Sequence, residues 1–306
     1  MGHHHHGHHH GHSHGHSANK KALLLSFLLI STFMVIEVIG GLLTNSLALL
    51  ADAGHMLSDA ASLGLSFFAL KLGEKAASHS KTFGYKRFEI IAAAINGMTL
   101  ILISLFILVE AVQRFSNPPE IQSTGMLIIS VIGLVVNIIA AWILMSGDKE
   151  DNLNVRSAFL HVIGDMLGSV GAITAALLMI FFGWGWADPV ASLIVAVLIS
   201  ISGYRVTKDS FHILMEGTPH HIQLNEVKAT LGKIEHVEEV HDLHIWSITS
   251  GVFMLSCHLS INEKGLHDQV LEQAQKVLHD DFGIEHSTLQ VERYDIGCPN
   301  PHLGCN

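Results

Sequence analysis

The chain has 306 residues, of which 49% are apolar and 14% charged, with a mean hydropathy of +0.41. An ordinary soluble domain carries about 25% charged residues, so the composition excludes a plain soluble enzyme and points to an integral membrane protein with a polar appendage. The net charge of −10 argues against nucleic acid as a partner. The three cysteines, Cys257, Cys298 and Cys305, are too few and too scattered for a disulfide framework.

The first stretch, MGHHHHGHHHGHSHGHS, holds ten of the 24 histidines. Such low complexity packs no core and is expected to be disordered. Gly and Ser interrupt the histidines repeatedly, which reads as a native, loosely metal-attracting tail rather than a purification tag. Six apolar segments follow: Ala22–Leu43, Leu47–Leu72, Ile90–Val112, Met126–Met145, Val155–Phe182 and Pro189–Val206. Each is near the roughly 20 residues that cross a hydrocarbon core. The first carries Glu37 and no clear small-residue cleavage site, so it is expected to be a retained span rather than a signal peptide.

Charge in the connecting segments predicts orientation. Lys20 and Lys21 precede the first span, and Lys71, Lys75, Lys81, Lys86 and Arg87 separate the second from the third. Lys149 and Arg156 separate the fourth from the fifth, and Arg205 and Lys208 follow the sixth. The other loops hold only Arg114. Cationic loops stay on the cytoplasmic side, so both termini are expected in the cytoplasm.

Beyond His212 the pattern changes. LNEVKATLGKIEHVEEV reads as a helix running into a strand, and VHDLHIWSIT and GVFMLSCHLSI as strands about a turn near Ser250–Gly251. LHDQVLEQAQKVLHDDF has helical spacing and STLQVERY reads as a closing strand. This α-β-β-α-β order predicts a small ferredoxin-like α+β domain. Side chains alternate along a regular strand, so His241 and His244 are expected on opposite faces and unable to share one ion. His258 is expected to face His241 across the hairpin. His244 reads as a strand histidine beside Trp246, and Cys257 as a small buried hydrophobe.

The second span holds His55 and Asp59 four residues apart, on one helix face. The fifth repeats the spacing with His161 and Asp165. A charged side chain at bilayer depth costs about 2.5–3.5 kcal/mol even on insertion scales, so a repeated pair needs a common purpose. Face to face, the pairs supply two imidazoles and two carboxylates, a tetrahedral set that suits Zn²⁺; a proton relay without metal is the bland alternative. Small neighbours such as Gly54, Ala60, Gly164 and Gly168 let the helices approach closely. Asp52 reads either as a partner that orients His55 or as a helix cap facing water. Asn96 and Asn137 read as helix–helix hydrogen-bonding residues. Glu37 reads either as lining a path or as a buried acid bonded to a neighbour.

LLADAGHMLSDAASL, TFGYKRFEIIAAAING, RSAFLHVIGDMLGSVG, DPVASLIVA and VHDLHIWSIT together resemble the cation diffusion facilitator family, in its zinc, cobalt and cadmium exporter branch. The resemblance covers nearly the whole chain after the His-rich tail. It implies a homodimer of six-helix protomers exchanging Zn²⁺ for H⁺, with cytoplasmic ferredoxin-like domains, and the membrane is expected to be that of the cell rather than of an organelle. It carries the transport ligands over to His55, Asp59, His161 and Asp165. In the cytoplasmic domain it implies metal ligands at His241, His258 and Glu292, with His286, Cys298 and Cys305 as extra ligands. It also implies a loop site at His79, which the residue pattern alone reads as solvated. Zn²⁺ would then be both cargo and a structural or regulatory ion. Family members with Asp in place of the first His move a wider set of metals, and His55 resembles the more zinc-selective form.

The expected division is a His-rich tail at 1–19, a six-helix transmembrane domain at 20–210, a ferredoxin-like metal-binding and dimerisation domain at 211–296, and a Cys-containing tail at 297–306. The spacing CPNPHLGC is not C-x-x-C and argues against a compact zinc knuckle. Other functions fit less well. A membrane-bound zinc enzyme needs an open coordination position, which four protein ligands leave unavailable. A channel must release ions faster than tight four-ligand binding allows. A membrane-bound sensor using only the cytoplasmic domain is the alternative to secondary transport.

Overall fold

In the computed structural model, residues 13–73, 78–145, 152–262 and 266–293 are described, with backbone alone at 13–23, 62–63, 65–73, 144–145 and 152–165. Six long helices come first: α1 (Ser13–Thr44), α2 (Leu47–Gly73), α3 (Arg87–Ser116), α4 (Ser123–Met145), α5 (Asn152–Phe182) and α6 (Ala187–Leu214). They follow the six apolar segments in order. α1 begins upstream of its apolar segment, since a nucleated helix extends at little cost. Among the described residues, Leu24–Thr44, Arg87–Ser116, Ser123–Ile143 and Ala187–Leu214 are long and apolar enough to cross a membrane, and Met166–Phe182 is a shorter apolar stretch. The chain divides into two compact units, Met1–Glu74 with Ile95–Thr207, and Lys75–Ala94 with Lys208–Asn306.

In the first unit α1 packs against α2 and α4, and α5 against α2 and α4. The contact surfaces are small: Ala48, Ala51, Ala53, Ala172, Ala175, Ala176, Ala191 and Ala196 are all buried. Small residues let helix backbones approach where lipid offers no hydrophobic drive. The outward surface is the reverse, with Leu42, Leu102, Phe106, Trp142 and Phe181 exposed, as a lipid-facing surface requires.

The start of α2 is held from a distance. Asn45 turns the chain at a φ of 59°, a left-handed conformation that Asn tolerates. The buried Asp188 carboxylate of α6 then accepts from Ser46 Oγ at 2.6 Å, Leu47 N at 3.0 Å and Ala48 N at 3.1 Å. An anion at a helix N-terminus meets both the orphan amides and the positive end of the dipole. Arg114 donates to Glu110 at 2.9 Å and to the Asn45 carbonyl at 2.7 Å, with Asp188 Oδ2 3.9 Å away.

The second unit adds α7 (Leu224–Leu231), β1 (Val237–Thr249), β2 (Val252–Ile261), α8 (His267–Phe282) and β3 (His286–Arg293), the expected α-β-β-α-β order. The sheet order is β1-β2-β3, with β1 antiparallel and β3 parallel to β2. Val227 and Leu231 of α7, and Val270, Ala274 and Leu278 of α8, pack on Val240, Leu243, Ile245, Leu255, Cys257, Leu259 and Ile261. The four-residue spacing on each helix makes that one apolar face. Both helices therefore cover one side of the sheet, and the other carries His244, Ser256, His258 and Ser260 beside Trp246 and Met254. The basic stretch before α3 and the start of α3 belong to this unit, where Glu89 in the first turn of α3 accepts from Thr249 Oγ1 at 2.5 Å and from Ser250 Oγ at 3.1 Å.

Candidate metal sites

In the first unit, α2 carries a half-buried His55 and a buried Asp59. His161 and Asp165 lie on α5, where the backbone alone is described. The relation of the two helices is nonetheless defined by their neighbours. Ala48 and Leu49 share a core cluster with Ala172, Ala175, Ala176 and Met179. Further along α2, Asp52 Oδ2 accepts from Ser169 Oγ at 2.8 Å. Rising numbers on α2 meet falling numbers on α5, so the helices run antiparallel. Asp52 is buried well inside α2, and Asp188 and Ser46 cap that helix instead. Asn96 of α3 donates to Ser58 Oγ at 3.5 Å, a long interhelical bond of the expected kind, and Asn137 is buried.

In the second unit the hairpin brings His241 opposite His258. The route is not a regular ladder. The turn pairs Thr249 with Val252, and an uninterrupted register would then set His241 against Ser260. Irregularities between Ser247 and Thr249, and between His241 and His244, each place one extra residue on β1. The two together slide His241 to His258. The second bulge includes Asp242, at a φ of 51°, and it overturns the expectation of opposite faces for His241 and His244. Those two pair with His258 and Ser256, which are two apart on β2 and so share a face. A bulge breaks the strict period of two.

Glu292 on β3 pairs with Ser260, on the same helix-free face. His241 Nε2 lies 3.0 Å from Glu292 Oε1, and His258 Nδ1 lies 3.6 Å from Glu292 Oε2. One ligand atom from each of the three residues lies within 4.8 Å of the others. His241 Nδ1 and Nε2, His258 Nδ1 and Glu292 Oε1 are buried without a hydrogen bond of acceptable geometry. Orphaned buried polar atoms are costly, and two imidazoles plus a carboxylate converging on one point fit a Zn²⁺ ion. Asp242, missed in the sequence, lies beside them, with Oδ2 3.6 Å from His258 Nε2 and Oδ1 2.9 Å from His244 Nε2. Its only advance signal was the tolerance of Asp for left-handed backbone.

The remaining candidates disperse. His286 opens β3 opposite Met254, roughly 20 Å along the strand from Glu292, with its ring edge-on to Phe83. His79 is exposed in a turn and joins no three-residue ligand group among the described residues. Cys298 and Cys305 lie outside the described residues. Cys257 is buried in the helix-covered core. Burial, and then the Asp242 carboxylate, push its thiol up to about 12.

Residues 23–215 match the cation efflux transmembrane domain model, and residues 219–294 match the cation efflux protein cytoplasmic domain model. The chain is 60% identical to the "Cadmium, cobalt and zinc/H(+)-K(+) antiporter" of Bacillus subtilis, across 95% of this chain and 92% of that one. It is 43% identical to "Zinc transporter ZitB" of Pectobacterium atrosepticum, across 90% and 86%. It is 39% identical to "Metal cation efflux system protein CzcD" of Cupriavidus metallidurans, across 90% and 87%.

Proposed function

Because the chain belongs to the cation efflux family of multi-pass membrane antiporters, the cation diffusion facilitators, we propose that it exports Zn²⁺ in exchange for H⁺. Cd²⁺ and Co²⁺, named for the relative from Bacillus subtilis, are further substrates on this reading. The transport ligands are His55, Asp59, His161 and Asp165. The observation that carries the assignment is the Asp52–Ser169 hydrogen bond between antiparallel helices. Counting away from it in opposite directions sets position 56 level with 165, and position 60 level with 161. His55 and Asp59 are each one residue from those levels, about 1.5 Å along the axis. That shared level supports the reading that the two pairs supply a four-ligand tetrahedral set of the kind Zn²⁺ accepts.

All six long helices span the membrane, and both termini lie in the cytoplasm. Arg114, the lone cation of the loops assigned to the outside, is tied to Glu110 and Asn45, which supports that side being external. Zn²⁺ reaches His55 and His161 from the cytoplasm, and each imidazole lone pair takes either the ion or a proton. At the lower external pH the ligands reprotonate and release the ion. The His-rich tail raises the local metal concentration without forming the transport site. His241, His258 and Glu292 hold a regulatory Zn²⁺ that ties β1, β2 and β3 together, in a domain through which two copies of the chain associate.

The test is Zn²⁺ flux into proteoliposomes under a pH gradient, with a zinc dye inside and a pH dye outside. Saturable zinc movement coupled to opposite proton movement is expected of the wild type. Asp59→Ala and Asp165→Ala should elute and melt as the wild type does while transporting nothing. Near wild-type exchange in either variant would overturn the site, and zinc flux with no dependence on the pH gradient would overturn proton exchange.

A further inference from the structure

α1 contains one acid in its apolar stretch, Glu37, and α2 brings Asp52 against it. Both residues are buried, at 0% and 1% exposure. Phe33, one turn before Glu37, and Met56, one turn after Asp52, share a core cluster, which sets 37 and 52 level on antiparallel helices with their carboxyl groups close enough to interact. Neither Glu37 Oε1 nor Oε2 has a donor. The surroundings leave little room. A Cβ on Gly133 of α4 would stand 2.8 Å from Glu37 Oε1 and 2.9 Å from Phe33 Cε1. A Cβ on Gly168 of α5 would collide with Asp52 Oδ1. Two glycines therefore let helix backbones close over the carboxylates. Of the helices packed on α1, α4 has no titratable residue, and α2 presents Asp52, with His55 the next titratable group along it. On the far side of Asp52, α5 supplies the Ser169 hydroxyl.

Two carboxylates this close and this dry cannot both stay ionised without a cation between them. The space decides which cation. The donors are oxygens only, and two oxygens in hydrogen-bond contact hold a proton, whereas a hydrated or multi-coordinate metal ion needs several ligands at 2 Å or more.

We infer that Glu37 and Asp52 form a proton-binding pair inside the membrane unit, separate from the metal ligands, and that its single shared proton leaves when the transport site fills. The inference rests on the proton-exchange reading above. Asp52 is three residues from His55, about 4.5 Å of helix rise. A divalent ion held by His55 and Asp59 favours the fully ionised pair and so expels the proton, while a bound proton disfavours the ion. Such linkage is reciprocal. Ser169 donates to Asp52 and so favours Asp52 as the carboxylate, which leaves Glu37 as the proton carrier: the Glu37 O–H bond breaks on metal arrival and re-forms on metal loss. Glu37 lies two turns before the end of α1, on the side that the proposed orientation makes external, where the exchanged proton originates.

The experiment counts protons released as Zn²⁺ binds the purified full-length protein, by calorimetry in buffers of different ionisation enthalpy, alongside zinc affinity against pH. Glu37→Gln keeps size and polarity but cannot lose a proton. It should release one proton fewer per zinc than the wild type, and its zinc affinity should change tenfold less per pH unit. Glu37→Asp, which keeps the carboxyl, should restore the wild-type count. Ser169→Ala removes the hydroxyl that favours ionised Asp52, so its zinc-binding midpoint should move to higher pH. An unchanged proton count in a folded Glu37→Gln protein would overturn the pair. If Glu37→Gln does not fold, a wild-type midpoint in Ser169→Ala overturns it instead. A wild-type protein that releases no proton on binding zinc would sink the proton-exchange reading itself, a result distinct from either of these.

Discussion

Replacing Asp188 with alanine should loosen the start of the helix that carries His55 and Asp59. Asp188 is fully buried, and its carboxylate accepts from one hydroxyl and from two first-turn amides of α2. Alanine leaves those amides without their acceptor in a site closed to water. The Ser46 hydroxyl can rotate toward another acceptor, and Arg114 keeps Glu110 and the Asn45 carbonyl, so the amides set the cost. Each unsatisfied buried donor costs about 1–3 kcal/mol, and two give roughly 2–6 kcal/mol. That exceeds the roughly 0.5–2 kcal/mol of an exposed cap, because water cannot replace the lost acceptor here. At about 2–4 °C per kcal/mol for a unit of this size, the apparent melting temperature should fall by on the order of 10 °C. Asp188→Asn keeps one good acceptor oxygen and should fall in between. The assay is intrinsic fluorescence during heating in detergent, with size-exclusion elution as the check on aggregation. An alanine variant melting within about 2 °C of the wild type would refute the claim that Asp188 clamps α2.

Two further outcomes follow from the second unit. His241→Ala should bind one zinc fewer per chain in equilibrium dialysis while keeping part of its transport rate, since the proposed regulatory ion would tie three strands together without being the cargo; an unchanged zinc count would remove His241 from the ligands. With Cys298 and Cys305 replaced by serine, Cys257 should resist maleimide at about pH 8 and react only after denaturation. A buried thiol pushed up to about 12 exposes almost no thiolate there, so rapid labelling of the native protein would contradict its burial.

Periodicity and spacing were enough for much of this molecule. Apolar runs of membrane length led to six long helices in the right order, because a span must satisfy its own backbone and shows this as an unbroken apolar stretch. The α-β-β-α-β order and the turn at Ser250–Gly251 were legible for the same local reason. The partnership of His241 and His258 was expected too, but two extra residues on β1 bring it about, since an uninterrupted register would set His241 against Ser260. The repeated His-x-x-x-Asp spacing singled out α2 and α5 as the helices proposed to carry the transport ligands.

What stayed hidden depends on contacts between residues far apart in the chain. The motif DPVASLIVA contains Asp188, yet nothing within it shows that the carboxylate caps a helix beginning about 140 positions earlier. Asp52 had two readings from its position on α2, and only the approach of Ser169 from α5 and Glu37 from α1 shows it as a buried acid held between helices. Strand alternation put His241 and His244 on opposite faces, but one extra residue at Asp242 put them on the same one. Alternation and helical spacing are properties of a single regular element. Bulges, interhelical caps and facing carboxylates arise where two elements meet, and that meeting is decided by packing across the whole fold.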